Sequence, residues 1–279
     1  MSIYRKLYNI IVFFKYLNIY FLMKLLDILA GKYNISKRRA KEYLKNGKVF
    51  LDNKKVHKNI FVEENKYSSI TLNINATSNI NINYNKFIIK NYENIVFLYK
   101  PPFVHTERLR LEEPFTIEDI IDKNFSNFKL ISRLDYQTDG LITAVNSNFN
   151  VFYEEKHYVA LVHGILNQQL IIDNRIDYKK RKKVKVFEQT GQNITQITPI
   201  KTYTNATIVK VTIKKGLRHQ IRAHLSYLGF PIYGDSKYGI NDCAKRLMLS
   251  CYYVKIDNYK CFSPYLKEFY IQVKNILDH

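Results

Sequence analysis

From residue 95 onward, strand-length apolar runs punctuate this chain: Ile95 to Leu98, Leu141 to Val145, Tyr158 to Val162 and Thr207 to Ile213. β-Branched and aromatic residues dominate them, and only a few helical segments separate them. Strands that follow one another with occasional helices between predict an α+β domain on a largely antiparallel, mixed sheet. At 279 residues there is length for one large domain and a smaller one, each able to bury a core. No internal repeat is evident.

A segment of another kind precedes the runs. From Met23 to about Ile74 the chain reads as a small compact module. Ser36 suits a helix N-cap and Gly47 a C-terminal stop, while Ala40, Tyr43 and Leu44 recur at helical spacing as one buried face. The opposite face carries Lys37, Lys41 and Lys45, with Arg38 adjacent, a basic stripe that suits an RNA backbone and equally suits a solvated helix face. Val49-Phe50-Leu51, a turn at Asp52-Asn53 and a second extended piece follow. The expected organisation is an extension at 1–22, the module at 23–74, an Asn/Ile-biased linker at 75–85 and the large domain at 86–279.

The apolar stretch from Tyr4 to Leu22 is interrupted by Lys15 and Asn18 and lacks a small-residue cleavage site, so neither a membrane span nor a signal peptide is expected. Met23 is a candidate start of translation. Lys and Arg number 44 against 24 Asp and Glu, a formal net charge of +20, which points to a polyanionic partner. The chain is also crowded with Lys, Asn, Ile, Tyr and Phe, which A/T-rich codons supply, so charge alone argues less strongly than its size. The run Lys179-Lys180-Arg181-Lys182-Lys183 reads either as an RNA-tracking segment or as an exposed hairpin. Cys243, Cys251 and Cys261 lack C-x-x-C spacing and read as reduced thiols of a cytosol-like compartment.

Two distant segments carry the candidate chemistry. Arg133-Leu134-Asp135-Tyr136-Gln137-Thr138-Asp139-Gly140 sets a carboxylate on a loop leading into a strand. Gly216-Leu217-Arg218-His219-Gln220-Ile221-Arg222-Ala223-His224-Leu225 makes a tight turn and a helix expected from Arg218 to Leu228, stopped by Gly229 and Pro231. Ile221, Leu225 and Leu228 would form its buried face, leaving Arg222 able to reach the Asp135 loop as a charged pair. His219 and His224 lack a Glu or Cys partner for a metal site and are expected in structural or RNA-facing roles. Gly234-Asp235 and Tyr238-Gly239 are expected to shape a turn.

Two resemblances attach to these residues. Ile35-Ser36-Lys37-Arg38 and Gly47-Lys48-Val49-Phe50-Leu51-Asp52-Asn53 resemble the S-four RNA-binding domain. Lys100-Pro101 with Val104-His105, Arg133-Leu134-Asp135 with Thr138 and Gly140, Lys156-x-Tyr158-x-Ala160, His219-Gln220-Ile221-Arg222 through Tyr238-Gly239, and Arg246-Leu247-x-Leu249 resemble, in order, the motifs of the RluA-type pseudouridine synthases. The second resemblance implies an isomerase that cuts uridine's bond from ring nitrogen one to ribose, turns the base and rejoins it through carbon five. By motif position it implies Asp135 as the catalytic aspartate, Tyr158 stacking on the base and helping remove the carbon-five proton, and Arg222 paired with Asp135. Ile221 would line the pocket, Arg133 would fill the gap left by the flipped nucleotide, and Lys100, Arg218 and His219 would meet the substrate. The chemistry involves no net redox change, so no metal or organic cofactor is expected. The implied partner is RNA, ribosomal first and transfer RNA second, with the protein a monomer off the membrane.

Ser132 stands where the family usually has His, Asp139 where it has Ser, and Ser250-Cys251 where His-Ala is common. Asp139 thus adds a carboxylate that would raise the pKa of Asp135 on close approach. Two other readings stand beside the isomerase: a noncatalytic RNA-binding or ribosome-assembly protein, and a glycosidase using Asp135 and Asp139.

Overall fold

A computed structural model describes residues 22–33, 35, 37–73, 83–109, 115–125, 127–177 and 183–278. The extension before residue 22, the Ser36 cap, most of the 75–85 linker and the basic run at 179–182 lie outside the described residues. The chain divides into two compact units, Met1–Ile80 with Leu109–Pro114, and Asn81–Arg108 with Phe115–His279.

In the first unit, β1 (Leu22–Lys24) leads into α1 (Leu25–Lys32) and α2 (Lys37–Lys45), followed by β2 (Val49–Leu51), β3 (Lys54–Val56), β4 (Phe61–Glu63) and β5 (Ile70–Leu72). β2 lies between β3 and β5 in one antiparallel sheet, and β1 pairs with β4 in another. The β2–β3 turn sets Asp52 and Asn53 at φ 48° and 61°, the left-handed pair that a two-residue hairpin requires and that these residue types tolerate. Ala40, Tyr43 and Leu44 of α2 pack with Leu25 and Leu29 of α1, Val49, Val62 and Ile70. α1 is an element that the sequence pattern does not announce: it has eight residues, contains Gly31 and receives no side-chain cap from Lys24.

The second unit is built on β6 (Ile88–Asn91), β7 (Ile95–Lys100), α3 (Ile117–Asn124), β8 (Phe128–Leu130), β9 (Asp139–Asn146), β10 (Glu154–His163), β11 (Leu170–Asp177), β12 (Lys185–Thr202), β13 (Ala206–Ile213), α4 (Gln220–Tyr227), β14 (Leu249–Ile256), β15 (Tyr259–Phe262) and α5 (Leu266–Leu277). Among the described residues ten strands form one sheet in the order β11-β12-β13-β10-β14-β9-β7-β6, with β15 on β14 and β8 on β9. The strands pair antiparallel apart from β9 with β14, which run parallel through Ser250↔Asp139 and Cys251↔Gly140. The sheet is therefore largely antiparallel, as the apolar runs predict, and mixed through this one parallel pairing.

Alternation along the central strands splits the core into two layers. Val96, Leu98, Ile142 and Ala144 pack with Ile117, Ile120 and Ile121 of α3. Ile95, Phe97, Leu141 and Val145 join the larger core, which includes Ile221 and Leu225 of α4 and Phe269 and Val273 of α5. α4 starts two residues later than its sequence pattern suggests, because His219 adopts a left-handed φ of 57°. Arg218 therefore lies on the turn before the helix. α4 is buried continuously from Gln220 to Leu225, polar residues included.

The parallel junction demands glycine at residue 140. Gly140 has φ +121°, and a Cβ there would lie 2.2 Å from the Cys251 carbonyl oxygen. Gly229 also has positive φ, at +85°, but nothing lies within 4 Å of its would-be Cβ. Gly229→Ala should cost about 1–2 kcal/mol for the left-handed backbone alone. Gly140→Ala should add about 1–3 kcal/mol of overpacking on top of that. Urea unfolding midpoints of the two variants test the difference, and equal midpoints would show that β9 and β14 can part freely.

Candidate active site

The loop at 131–138, between β8 and β9, carries the central carboxylate and is tied down along its length. Thr106 Oγ1 donates to the Leu134 carbonyl at 3.2 Å and accepts from the Leu134 N–H at 3.2 Å. The Tyr136 carbonyl accepts from the Phe103 N–H at 2.7 Å and from Lys100 Nζ at 3.2 Å. Ser132 Oγ accepts from the buried Thr143 N–H at 2.9 Å, so a small hydroxyl at residue 132 still anchors the loop to β9.

α4 supplies the counter-charge. Arg222 Nη1 donates to Asp135 Oδ2 at 2.6 Å, while Nε and Nη2 grip Asp235 Oδ2 and Oδ1 at 2.8 and 2.6 Å. Asp235 also accepts from the backbone N–H groups of Lys237 and Tyr238. The Asp235 side chain is 1% exposed and that of Asp135 28% exposed, so Arg222 bridges a sealed carboxylate and an accessible one. Burial works against both buried charges, and their mutual contact prevails: it raises the Arg222 pKa and lowers that of Asp235.

His219 completes the polar cluster. Tyr238 Oη accepts from the Val184 N–H at 2.7 Å and lies 2.9 Å from His219 Nδ1, a spacing that suits donation of its own proton to that nitrogen. That direction assigns the neutral His219 its hydrogen on Nε2, the nitrogen that faces Asp135 Oδ1 at 3.7 Å. Burial, opposed by Asp135 and reinforced by Arg222, pushes the imidazole pKa down to about 4, so it is neutral at pH 7.

Tyr158 sits on β10 between Val211 of β13 and Cys251 of β14, and is 6% exposed. Burial first, then Cys251 and Glu154, pushes its pKa well above the ordinary phenol value. Tyr158 is a neutral phenol at physiological pH, suited to forming a wall more than to acting as a standing base. Ile221 packs in the same core as Tyr158. The neighbouring Cys251 thiol is pushed up to about 12 by burial.

Three expectations change on the structure. Lys100, expected to meet the substrate, is fully buried here and its Nζ donates to the carbonyls of Pro101, Val104 and Tyr136, so it ties the loops together. Burial, opposed by Asp139 and Asp135, lowers its pKa to about 7. Asp139 does not act as a second free carboxylate beside Asp135: Oδ1 pairs with Arg246 Nη1 at 2.8 Å and Oδ2 accepts from Tyr99 Oη and Ser250 Oγ. Residues 139 and 250, both departures from the family pattern, are therefore partners. Asp235 and Tyr238, read as turn formers, also bind the site's arginine and histidine. A signal for Asp235 was available: a buried guanidinium has five donors, and one carboxylate oxygen cannot satisfy them.

Arg133 is exposed and sits 3.6 Å from Glu107, and Arg218 is exposed on its turn. His224 is structural, placed between Thr195 Oγ1 and the Asn174 carbonyl. In the first unit Lys37, Lys41 and Lys45 are exposed on α2, and Lys37 pairs with Asp27. The side chain of Arg38 lies outside the described residues.

A family model described as RNA pseudouridylate synthase matches residues 94–227. An uncharacterized RNA pseudouridine synthase of Helicobacter pylori is 31% identical over 261 residues, covering 89% of this chain and 99% of that protein. A protein of Buchnera aphidicola named ribosomal large subunit pseudouridine synthase C is 28% identical, covering 76% of this chain and 70% of its own. Among solved structures, human RNA Pseudouridylate Synthase Domain Containing 4 superposes with a TM-score of 0.51 at 15% identity over 68% of this chain and 94% of that one, a likeness of fold.

Removing one partner of a buried pair strands the other. Asp235→Ala should destabilise the protein by about 3–5 kcal/mol, and adding Arg222→Met should recover a large part of that loss. Urea unfolding of the single and double variants measures the coupling; strictly additive losses would show that the two groups do not depend on each other.

Proposed function

The chain belongs to the RNA pseudouridine synthase family and is an RNA-modifying isomerase, and from that premise we propose that it acts on large-subunit ribosomal RNA through Asp135. The observation that carries the proposal is the 2.6 Å Arg222–Asp135 contact. With Oδ2 held by Arg222, Oδ1 is the oxygen left for chemistry, whether it attacks the base, attacks the ribose or removes a ribose proton. The N1–C1′ bond breaks, the base turns, C5 bonds to C1′, the C5 proton leaves and N1 gains one. Atoms and electrons balance without a redox partner.

A uridine stacked in a helix cannot reach Asp135. Flipping it out costs a few kcal/mol, offset by stacking and phosphate contacts. Tyr158 walls the base, Ile221 borders it, and Arg133, its side chain 65% exposed on the loop, takes the vacated place in the RNA. Arg218 and His219 approach from the turn before α4, His219 as a neutral donor toward the Asp135 oxygen. A noncatalytic RNA-binding role would not call for a carboxylate anchored by an arginine that a second, buried carboxylate holds in place.

Ribosomal RNA as the substrate class draws support from the Buchnera relative, whose name places its action on the ribosomal large subunit. The first unit serves as an S-four-type RNA-binding module, with Lys41 and Lys45 facing phosphates and Lys37 and Arg38 beside them. On this reading the protein works as a monomer in the cytoplasm, the compartment that the spacing of its cysteines also suits.

Pseudouridine mapping by carbodiimide adducts and primer extension, in cells lacking the gene, should show a ribosomal site that returns with wild type and stays absent with Asp135→Asn. Return with Asp135→Asn would remove Asp135 from the mechanism, and a change confined to transfer RNA would reassign the substrate. Lys41→Glu with Lys45→Glu should weaken ribosomal RNA binding and reduce the salt slope by about 1 per lost phosphate contact. Unchanged affinity and slope would exclude the module from the interface.

A further inference from the structure

Two large aromatic rings lie open beside the catalytic loop. Phe103 is 48% exposed and Tyr136, the residue after Asp135, is 44% exposed. The Tyr136 ring stacks on His105 at 4.5 Å and 30°, and meets Phe103 edge-on at 5.8 Å. Exposed apolar rings gathered in one place mark a binding surface more often than a lone exposed side chain does.

The backbone beneath these rings is held in an unusual shape. Phe103 has φ +62°, a left-handed conformation that a bulky residue rarely adopts and that surrounding contacts must enforce. Those contacts are present: the Phe103 N–H donates to the Tyr136 carbonyl at 2.7 Å, and buried Lys100 joins the carbonyls of Pro101, Val104 and Tyr136 from below. The two ring-bearing loops are thus one stitched unit. A preordered aromatic surface loses little freedom when something stacks on it.

We infer that Phe103 and Tyr136 form a ledge that stacks an unpaired nucleobase flanking the target uridine. The inference rests on the proposed reaction at Asp135. Tyr136 follows Asp135 directly, with consecutive Cα atoms about 3.8 Å apart, which sets the ledge within one nucleotide's reach of that carboxylate. The chain's +20 charge suits a polyanion, and Arg133, two residues before Asp135, is exposed on the same loop. Its partner Glu107 is 3.6 Å away and half-buried, a loose pair that the guanidinium can leave when it takes the vacated place in the RNA. Every base has a π-face, so the ledge selects for an unpaired neighbour in a loop or bulge more than for a particular base.

The test uses the full chain and RNA from cells lacking the gene, labelled with tritium at uridine carbon five, with tritium release as the readout. Phe103→Gly removes the ring and relaxes the left-handed backbone, Tyr136→Leu removes the other ring, and Tyr136→Phe keeps the face without the hydroxyl; thermal melts confirm folding. Losing one stacked base should lower kcat/KM by about 5- to 150-fold in the first two variants. The loss should appear in KM, with kcat within about threefold and Tyr136→Phe near wild type. Wild-type-like kcat/KM in both ring-deleted variants would overturn the ledge and leave the surface to a protein partner. A loss confined to kcat, or an equal loss in Tyr136→Phe, would overturn it as well. No tritium release by wild type would instead overturn the proposed reaction, and the ledge with it.

Discussion

Arg222 is the hinge of charge on which the site depends. A guanidinium taken out of water is unfavourable by several kcal/mol unless its donors are met, and Asp235 meets two of them inside the protein. With that half satisfied, the remaining face of the guanidinium is fixed in direction and can hold Asp135 Oδ2 without wandering. A single Arg222–Asp135 pair on a half-exposed loop would be screened and mobile. Asp235 turns it into a rigid bridge between helix α4 and the loop at 131–138.

The same device recurs around that loop. Lys100 beneath the loop joins three carbonyls, and Arg246 joins Asp139, the Leu247 carbonyl and Gln272 of α5. Asp139 and Arg246 bracket the parallel β9–β14 junction, where Ser250 also reaches Asp139. The departures at residues 139 and 250 are therefore one change made at two ends of a hydrogen bond. They leave Asp135, Tyr158 and Arg222 untouched because the new carboxylate is consumed by Arg246 and Tyr99.

What the sequence makes legible follows from which pattern each residue obeys. The strands at 95–100, 139–146, 154–163 and 206–213 are readable because covering on both faces makes them nearly continuous apolar runs. β11 and β12 are harder to read: their apolar residues are divided between the core, as Ile172 and Ile197 are, and solvent, as Ile171, Ile194 and Ile200 are. The Asp135–Arg222 partnership is legible from motif order. Asp235 is legible only indirectly: a Gly-Asp pair reads as a turn, and the one hint is that a buried arginine needs more acceptors than Asp135 supplies. Lys100 misleads for a related reason, because lysine is seldom fully buried and an RNA-facing role is the natural expectation. His219 shifts the start of α4 because its ring, tied to Tyr238, holds a backbone conformation that helical propensity does not foresee.

These contacts separate two uses of positive charge. Among the described residues of the site, the buried Arg222 and Arg246 face the carboxylates of Asp135, Asp139 and Asp235, and Lys100, its charge weakened by burial, faces backbone carbonyls, so the interior carries no large surplus of positive charge. The surplus that makes the chain +20 therefore lies outside the catalytic cluster, on residues such as Arg133, Arg218, Lys41 and Lys45. An interior paired in this way keeps the geometry at Asp135 insensitive to salt, while the outer charge answers to it. Gathering RNA and acting on a single uridine are thus assigned to different residues, and the exposed rings at Phe103 and Tyr136 stand at the border between them.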